Sequence, residues 1–169
     1  GCGKTTIARE LLRRHGEIHF SVSATTRTRR SNEFDGHDYH FITREEFQQK
    51  ILRDELAEWE QIYDDFYGTP MSEIAAGAGR PVLFDVDVKG ALSIKRKYPA
   101  QSLLIFVRPP SLRVLAERLR NRKTESIEAL KKRLDRASME LELAKEFDYT
   151  VTNDVLDEAI AKADAIVTD

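Results

Sequence analysis

Apolar, strand-like runs alternate with amphipathic helical stretches along most of this chain, and that alternation leaves few folds open. Strand signals, rich in β-branched and aromatic residues, fall at 19–24, 56–62, 81–86, 102–107 and 149–152. Helical periodicity runs through 4–14, 43–54, 88–97, 111–122, 126–146 and 154–167. In the first helix Ile7, Ala8, Leu11 and Leu12 form one stripe, with Arg9, Glu10, Arg13 and Arg14 opposite. Leu112, Leu115, Ala116 and Leu119 make a second apolar face. Ile127, Leu130, Leu134, Ala137, Leu141 and Ala144 make a third, read as core packing. Thr43-Arg44-Glu45-Glu46 is a capping box that starts the second helix. Strands alternating with helices predict an α/β fold with a mainly parallel sheet flanked by helices. Residues 34–70 break the rhythm with short strands and turns marked by Gly36 and Gly68, as an inserted α+β subdomain would.

Composition narrows the class further. At 169 residues, the chain suits one domain, or one core with a small subdomain. Its 41% hydrophobic and 33% charged residues exclude a disordered or collagen-like chain. No apolar run approaches the roughly 20 residues that cross a bilayer. The single cysteine, Cys2, excludes an intrachain disulfide and a multi-cysteine zinc site, and suits a reduced, cytoplasmic setting. A net charge of -2 argues against a globally basic nucleic-acid binder.

The chain opens Gly1-Cys2-Gly3-Lys4-Thr5-Thr6. Gly3-Lys4-Thr5 is either the end of a phosphate-binding loop, G-x-x-x-x-G-K-[ST], or part of a Gly-rich tail. The helix that follows favours the loop, because a helix N-terminus offers free N–H groups and a positive dipole end to phosphate. Lys4 would then reach the outer phosphates, and the Thr5 hydroxyl would meet Mg²⁺. On this reading the first half of the loop and its feeding strand would lie before Gly1, so the sequence is expected to be truncated within the loop.

Three further places carry candidate chemistry. The run 81–85 is an apolar strand ending in Asp85, which either helps to hold Mg²⁺ through water or caps a helix. Asp87 follows, and period-two alternation would send both carboxylates to one side, in the ligand crevice of an open sheet. Arg27, Arg29 and Arg30 form either a solvated turn or a clamp for a dianionic phosphate. Trp59 reads as core. Residues 108–136 hold ten Lys or Arg against four Asp or Glu, a local excess that is either a solvated helix face or a phosphate-clamping lid. A nucleic-acid reading of that patch lacks interleaved aromatics.

Taken in order, these motifs resemble the guanylate kinase family. The family pattern reads Gly-x-Gly-Lys-[Ser/Thr], Ser-x-Ser-x-Thr-Thr-Arg-x-x-Arg, Asp-Gly-x-Asp-Tyr-x-Phe, Glu-Trp, Tyr-Gly-[Ser/Thr], and Asp-x-Asp followed by Gly. All occur here at fitting spacing, across essentially the whole chain. Lys89 stands where many members have Gln.

The resemblance implies a P-loop kinase fold in a single domain, 1–169. Its core would be 1–33 and 71–169, with a GMP-binding subdomain at about 34–70 and a helical lid at about 118–136. The implied activity is phosphorylation of GMP by ATP with Mg²⁺ as cofactor, without nucleic-acid or membrane partners. By motif match, Gly1, Cys2, Gly3, Lys4, Thr5 and Thr6 would hold ATP phosphates, and Thr5 and Asp85 the metal. Ser23 and Glu58 would read guanine, with Thr69 and Asp87 nearby. Arg27, Arg30, Tyr39 and Tyr67 would hold the GMP phosphate, while Lys4, Arg118, Arg122 and Arg133 would surround the transferred group. Some relatives of that family are inactive interaction modules, which remains the alternative function.

Overall fold

A computed structural model describes residues 2–122 and 126–169. In chain order the elements are α1 (Lys4–Arg14), β1 (His19–Ser21), β2 (Ala24–Thr25), β3 (His40–Phe41), α2 (Arg44–Leu52), β4 (Leu56–Ile62), β5 (Asp65–Pro70), α3 (Met71–Ala76), β6 (Val82–Phe84), α4 (Val88–Lys97), β7 (Ile105–Arg108), α5 (Leu112–Asn121), α6 (Ile127–Leu143) and, after a 3-10 turn at Ala144–Glu146, β8 (Tyr149–Thr152) and α7 (Leu156–Thr168). They divide into two compact units, one of residues 1–14 with 103–169 and one of residues 15–102.

In the first unit β7 and β8 pair in parallel, Ile105 against Tyr149 through Arg108 against Thr152. The apolar stripe of α1 (Ile7, Ala8, Leu11) is buried, and α1 packs on α7, which buries Ala159, Ile160 and Ala163. α5 buries Leu115, Ala116 and Leu119, while Leu112 at its start is exposed. α6 departs from expectation. No residue of it is fully buried, and Ile127 is 87% exposed, so its apolar face is half-covered rather than core.

In the second unit β1 pairs in parallel with β6, His19 against Val82. A separate four-stranded sheet has the order β3-β2-β5-β4, with β2–β3 parallel and the other pairs antiparallel. The run expected as one strand at 19–24 is therefore two strands in two sheets, divided at Val22-Ser23. The pairs β2–β3 and β5–β4 supply hydrogen-bonding partners that periodicity does not reveal. Ala24, Phe47 and Leu56 form the buried centre of this sheet, with Ile42, Ile51 and Phe66 packed against them. The capping box forms: Thr43 Oγ1 accepts from Glu46 N–H at 3.1 Å, and Glu46 Oε2 accepts from Thr43 N–H at 2.9 Å.

Glu73 of α3 links the two sheets of this unit. Its Oε1 lies 2.8 Å from His40 Nε2 on β3, and its Oε2 lies 3.3 Å from His19 Nε2 on β1.

Trp59 is 44% exposed, contrary to the core expectation. A β-bulge between Leu56 and Glu58 breaks the alternation of β4: Leu56 and Trp59 share the face that carries Phe66, whose ring lies 6.0 Å from that of Trp59, while Glu58 turns to the other face beside Thr69.

Candidate active site

The loop entering α1 is shaped by Gly3, whose φ of +84° lies in the left-handed region. Gly3 carbonyl accepts from Ile7 N–H at 3.0 Å and so starts the helix. Lys4 is the first helical residue and half-buried; Thr5 and Thr6 follow it, exposed, in the first turn. That turn carries no acidic side chain, which leaves its positive dipole end open to an anion. Cys2 is a half-buried free thiol, and Gly1 lies outside the described residues.

Within the same unit Arg118 extends from α5 and donates through Nη2 to the Asn153 carbonyl at 3.0 Å. Arg122 is exposed at the C-terminal end of α5, and Arg133 is half-buried in α6. Residues 123–125 of the expected lid lie outside the described residues.

The second unit gathers the other candidates around the four-stranded sheet. Glu58 and Thr69 are directly opposite in the β4–β5 ladder. This register brings the Thr69 hydroxyl 2.7 Å from Glu58 Oε1, to which it donates. Both residues are buried, Glu58 being 8% exposed. α4 packs on β4, and the contact passes through Gly90. A Cβ on Gly90 would stand 2.8 Å from Glu58 Oε2 and 2.9 Å from Asp87 Oδ1, so only glycine fits without moving a carboxylate. Burial pushes the Glu58 carboxyl up to about 7, partly offset by the Thr69 hydroxyl, with the Asp87 and Glu60 charges adding to the rise.

Asp87 and Asp85 lie beyond the end of β6, so strand alternation does not orient them. Asp87 is instead the N-cap of α4, its Oδ1 accepting from Gly90 N–H at 3.2 Å. Asp85 is half-buried just past the strand. Lys89 Nζ lies 4.0 Å from Glu60 Oε1.

Arg27, Tyr39 and Tyr67 meet on the sheet. The Arg27 guanidinium lies 5.4 Å from the Tyr39 ring centroid, and the Tyr39 and Tyr67 rings are 6.0 Å apart, edge to face. The fork of Arg27 is engaged by Glu33, with Nη2 donating to Oε1 at 2.7 Å and Nη1 to Oε2 at 3.1 Å. Those bonds hold the guanidinium charge more firmly, raising its pKa, and hold the Glu33 carboxyl below its ordinary value. Glu33 Oε2 also accepts from Arg30 N–H at 2.8 Å, which orders the loop, while the Arg30 side chain is exposed. Ser23 is buried between β1 and β2, its carbonyl accepting from His40 N–H at 2.8 Å.

Sequence reasoning passed over Glu33 and Asn153. An acid three residues past Arg30, and an amide at the C-terminal end of a strand, were the available signals. Among the described residues no group of three or more His, Cys, Asp or Glu could cage a metal, and no helix is long and apolar enough to cross a membrane.

The sequence profile of guanylate kinase matches residues 1–169. The guanylate kinase of Chlorobaculum tepidum is 50% identical over 170 residues, covering 99% of this chain and 86% of that protein. That of Gloeobacter violaceus is 46% identical, covering 99% and 82% respectively. The crystal structure of guanylate kinase from Anaplasma phagocytophilum superposes with a TM-score of 0.79 at 28% identity, covering 98% of this chain and 80% of that one. The fold is thus that of a P-loop kinase, mixed α/β with parallel strand pairs and flanking helices. Within that class, the chain belongs to the guanylate kinase family.

Proposed function

We infer that the protein transfers the terminal phosphoryl group of ATP to GMP, giving ADP and GDP. The observation that carries this reading is one sheet bearing both a buried carboxylate and an arginine–tyrosine cluster. Guanine presents N1–H and its 2-amino group side by side, and a single ionised carboxylate takes both. Glu58 is that carboxylate, with Oε1 already bound by Thr69 and Oε2 facing Gly90 and Asp87. The Ser23 hydroxyl donates to guanine O6. Arg27, Arg30, Tyr39 and Tyr67 hold the GMP phosphate, with Arg27 exchanging part of its Glu33 contact for it. Residues 34–70 act as the GMP-binding segment and 118–136 as the lid.

A GMP phosphate oxygen attacks the terminal phosphorus of ATP. The bond from that phosphorus to the bridging oxygen breaks, and its electron pair leaves with ADP. The attacking oxygen is already deprotonated near neutral pH, so no general base is needed. The N-terminus of α1 and Lys4 cradle the ATP phosphates, and Arg118, Arg122 and Arg133 neutralise charge on the group in transit. The Thr5 hydroxyl and the Asp85 carboxylate are hard oxygen donors of the type Mg²⁺ takes, and they would hold it partly through water. When bound, the ion neutralises phosphate charge. The free cysteine and this nucleotide chemistry fit a cytoplasmic enzyme.

The test is chromatography of nucleotides after mixing the full chain with Mg²⁺, ATP and GMP. Equal amounts of ADP and GDP are expected. ADP without GDP, or no turnover as for an interaction module, would contradict the reading.

A further inference from the structure

Asn153, the first residue past β8, is 6% exposed and touches three elements of its unit at once. Its N–H donates to the Arg108 carbonyl at the end of β7, at 2.8 Å. Its carbonyl accepts from Arg118 Nη2 on α5 at 3.0 Å. Its side-chain Nδ2 donates to the Cys2 carbonyl at 2.9 Å. The amide lies so close to the loop that a Cβ on Gly3 would fall 2.3 Å from Nδ2.

The bond to Cys2 has a stereochemical consequence. The Cys2–Gly3 peptide is planar and trans, so its C=O and N–H point in opposite directions. Holding the Cys2 carbonyl toward Asn153 therefore turns Gly3 N–H away from it. A phosphate needs N–H groups facing it and carbonyls facing elsewhere, and a carbonyl turned inward needs a donor. Asn153 supplies that donor.

We propose that Asn153 is a positioning residue that sets the phosphate loop in its anion-accepting orientation through its side-chain amide. Through its main-chain carbonyl the same residue anchors Arg118, so loop and arginine are registered on one point. This rests on the ATP-phosphate reading of the loop. The two Asn153 contacts differ in kind: substitution removes the side-chain bond to Cys2 and leaves the main-chain bonds to Arg108 and Arg118.

The probe is inorganic tripolyphosphate with Mg²⁺, titrated calorimetrically into the full chain, since it reads the loop without a base or an acceptor. Asn153→Ala should weaken its binding about 10-fold, the scale of one lost hydrogen bond. Asn153→Asp keeps the shape but sets a carboxylate against the Cys2 carbonyl and the incoming anion, and should weaken binding more. GMP affinity and Tm should stay near wild type in both variants. Tripolyphosphate binding equal to wild type in folded variants would overturn the proposal. So would a parallel fall in Tm, GMP affinity and tripolyphosphate affinity, which would make Asn153 only structural. If instead the wild type binds tripolyphosphate but forms no GDP, the acceptor assignment fails and this proposal stands.

Discussion

Replacing Glu58 by Gln should make the free protein more stable at alkaline pH while damaging its use of GMP. The carboxyl sits near 7 in the folded chain because it is buried, against 4.5 as its ordinary value. Between these values the folded state holds a proton that the unfolded state has released. Stability contributed by this group is therefore fully present below about 4.5 and is lost as pH rises through about 7. The gap corresponds to about 3 kcal/mol. Gln has the same shape, still accepts from Thr69, and never ionises. Glu58→Gln should thus approach wild-type stability near pH 5 and exceed it by up to about 3 kcal/mol at pH 8. Urea denaturation across that range, with m held common, reads the difference directly. A difference that does not change with pH would refute the argument, because desolvation of a charged carboxylate would not be what strains the site. On the proposed function, the ionised form is also the one that would accept guanine's two donors. GMP affinity in the wild type should accordingly rise as pH increases through about 7, and that dependence should vanish in Glu58→Gln.

Two other substitutions test separate parts of the machinery. Gly90→Ala would drive a methyl to within 2.8 Å of Glu58 Oε2, so the KM for GMP should rise about 10-fold or more while tripolyphosphate binding is retained. Lys4→Ala, at the first position of α1, should lower kcat by about 10²-fold or more with little change in GMP affinity, as stopped-time kinetics with a parallel GMP titration would show.

Much of the fold was legible because long elements carry their own period. The helices at Lys4–Arg14 and Val88–Lys97 and the strands at Leu56–Ile62 and Tyr149–Thr152 lie where apolar spacing puts them. β2 and β3 were not legible, since two residues each carry no period and exist only through pairing. β5 was hidden by Gly68 and Pro70, residues unfavourable to strands in isolation but placed here by the register with β4. Trp59 misled because aromatic bulk suggests burial, whereas it lies against Phe66 at the margin of the Ala24, Phe47 and Leu56 cluster and stays 44% exposed. At the candidate site, residue types and motif order pointed to Glu58, Thr69 and Arg27. The Glu33 fork and the Asn153 bond to Cys2 arise from chain segments distant or turned in space, which spacing along a sequence does not encode.

The central claim is that this chain reads guanine through Glu58 and passes phosphate to GMP. It is tested most directly by the ratio of kcat/KM for GMP to that for AMP, measured with Mg-ATP in wild type and Glu58→Gln. AMP lacks the N1 hydrogen and carries an amino group in place of O6, so it would strand both Glu58 and Ser23 in the roles proposed for them. The wild type should prefer GMP by about 10⁴-fold or more, and that preference should fall sharply in the variant. Comparable use of AMP by the wild type, or a ratio untouched by Glu58→Gln, would contradict it.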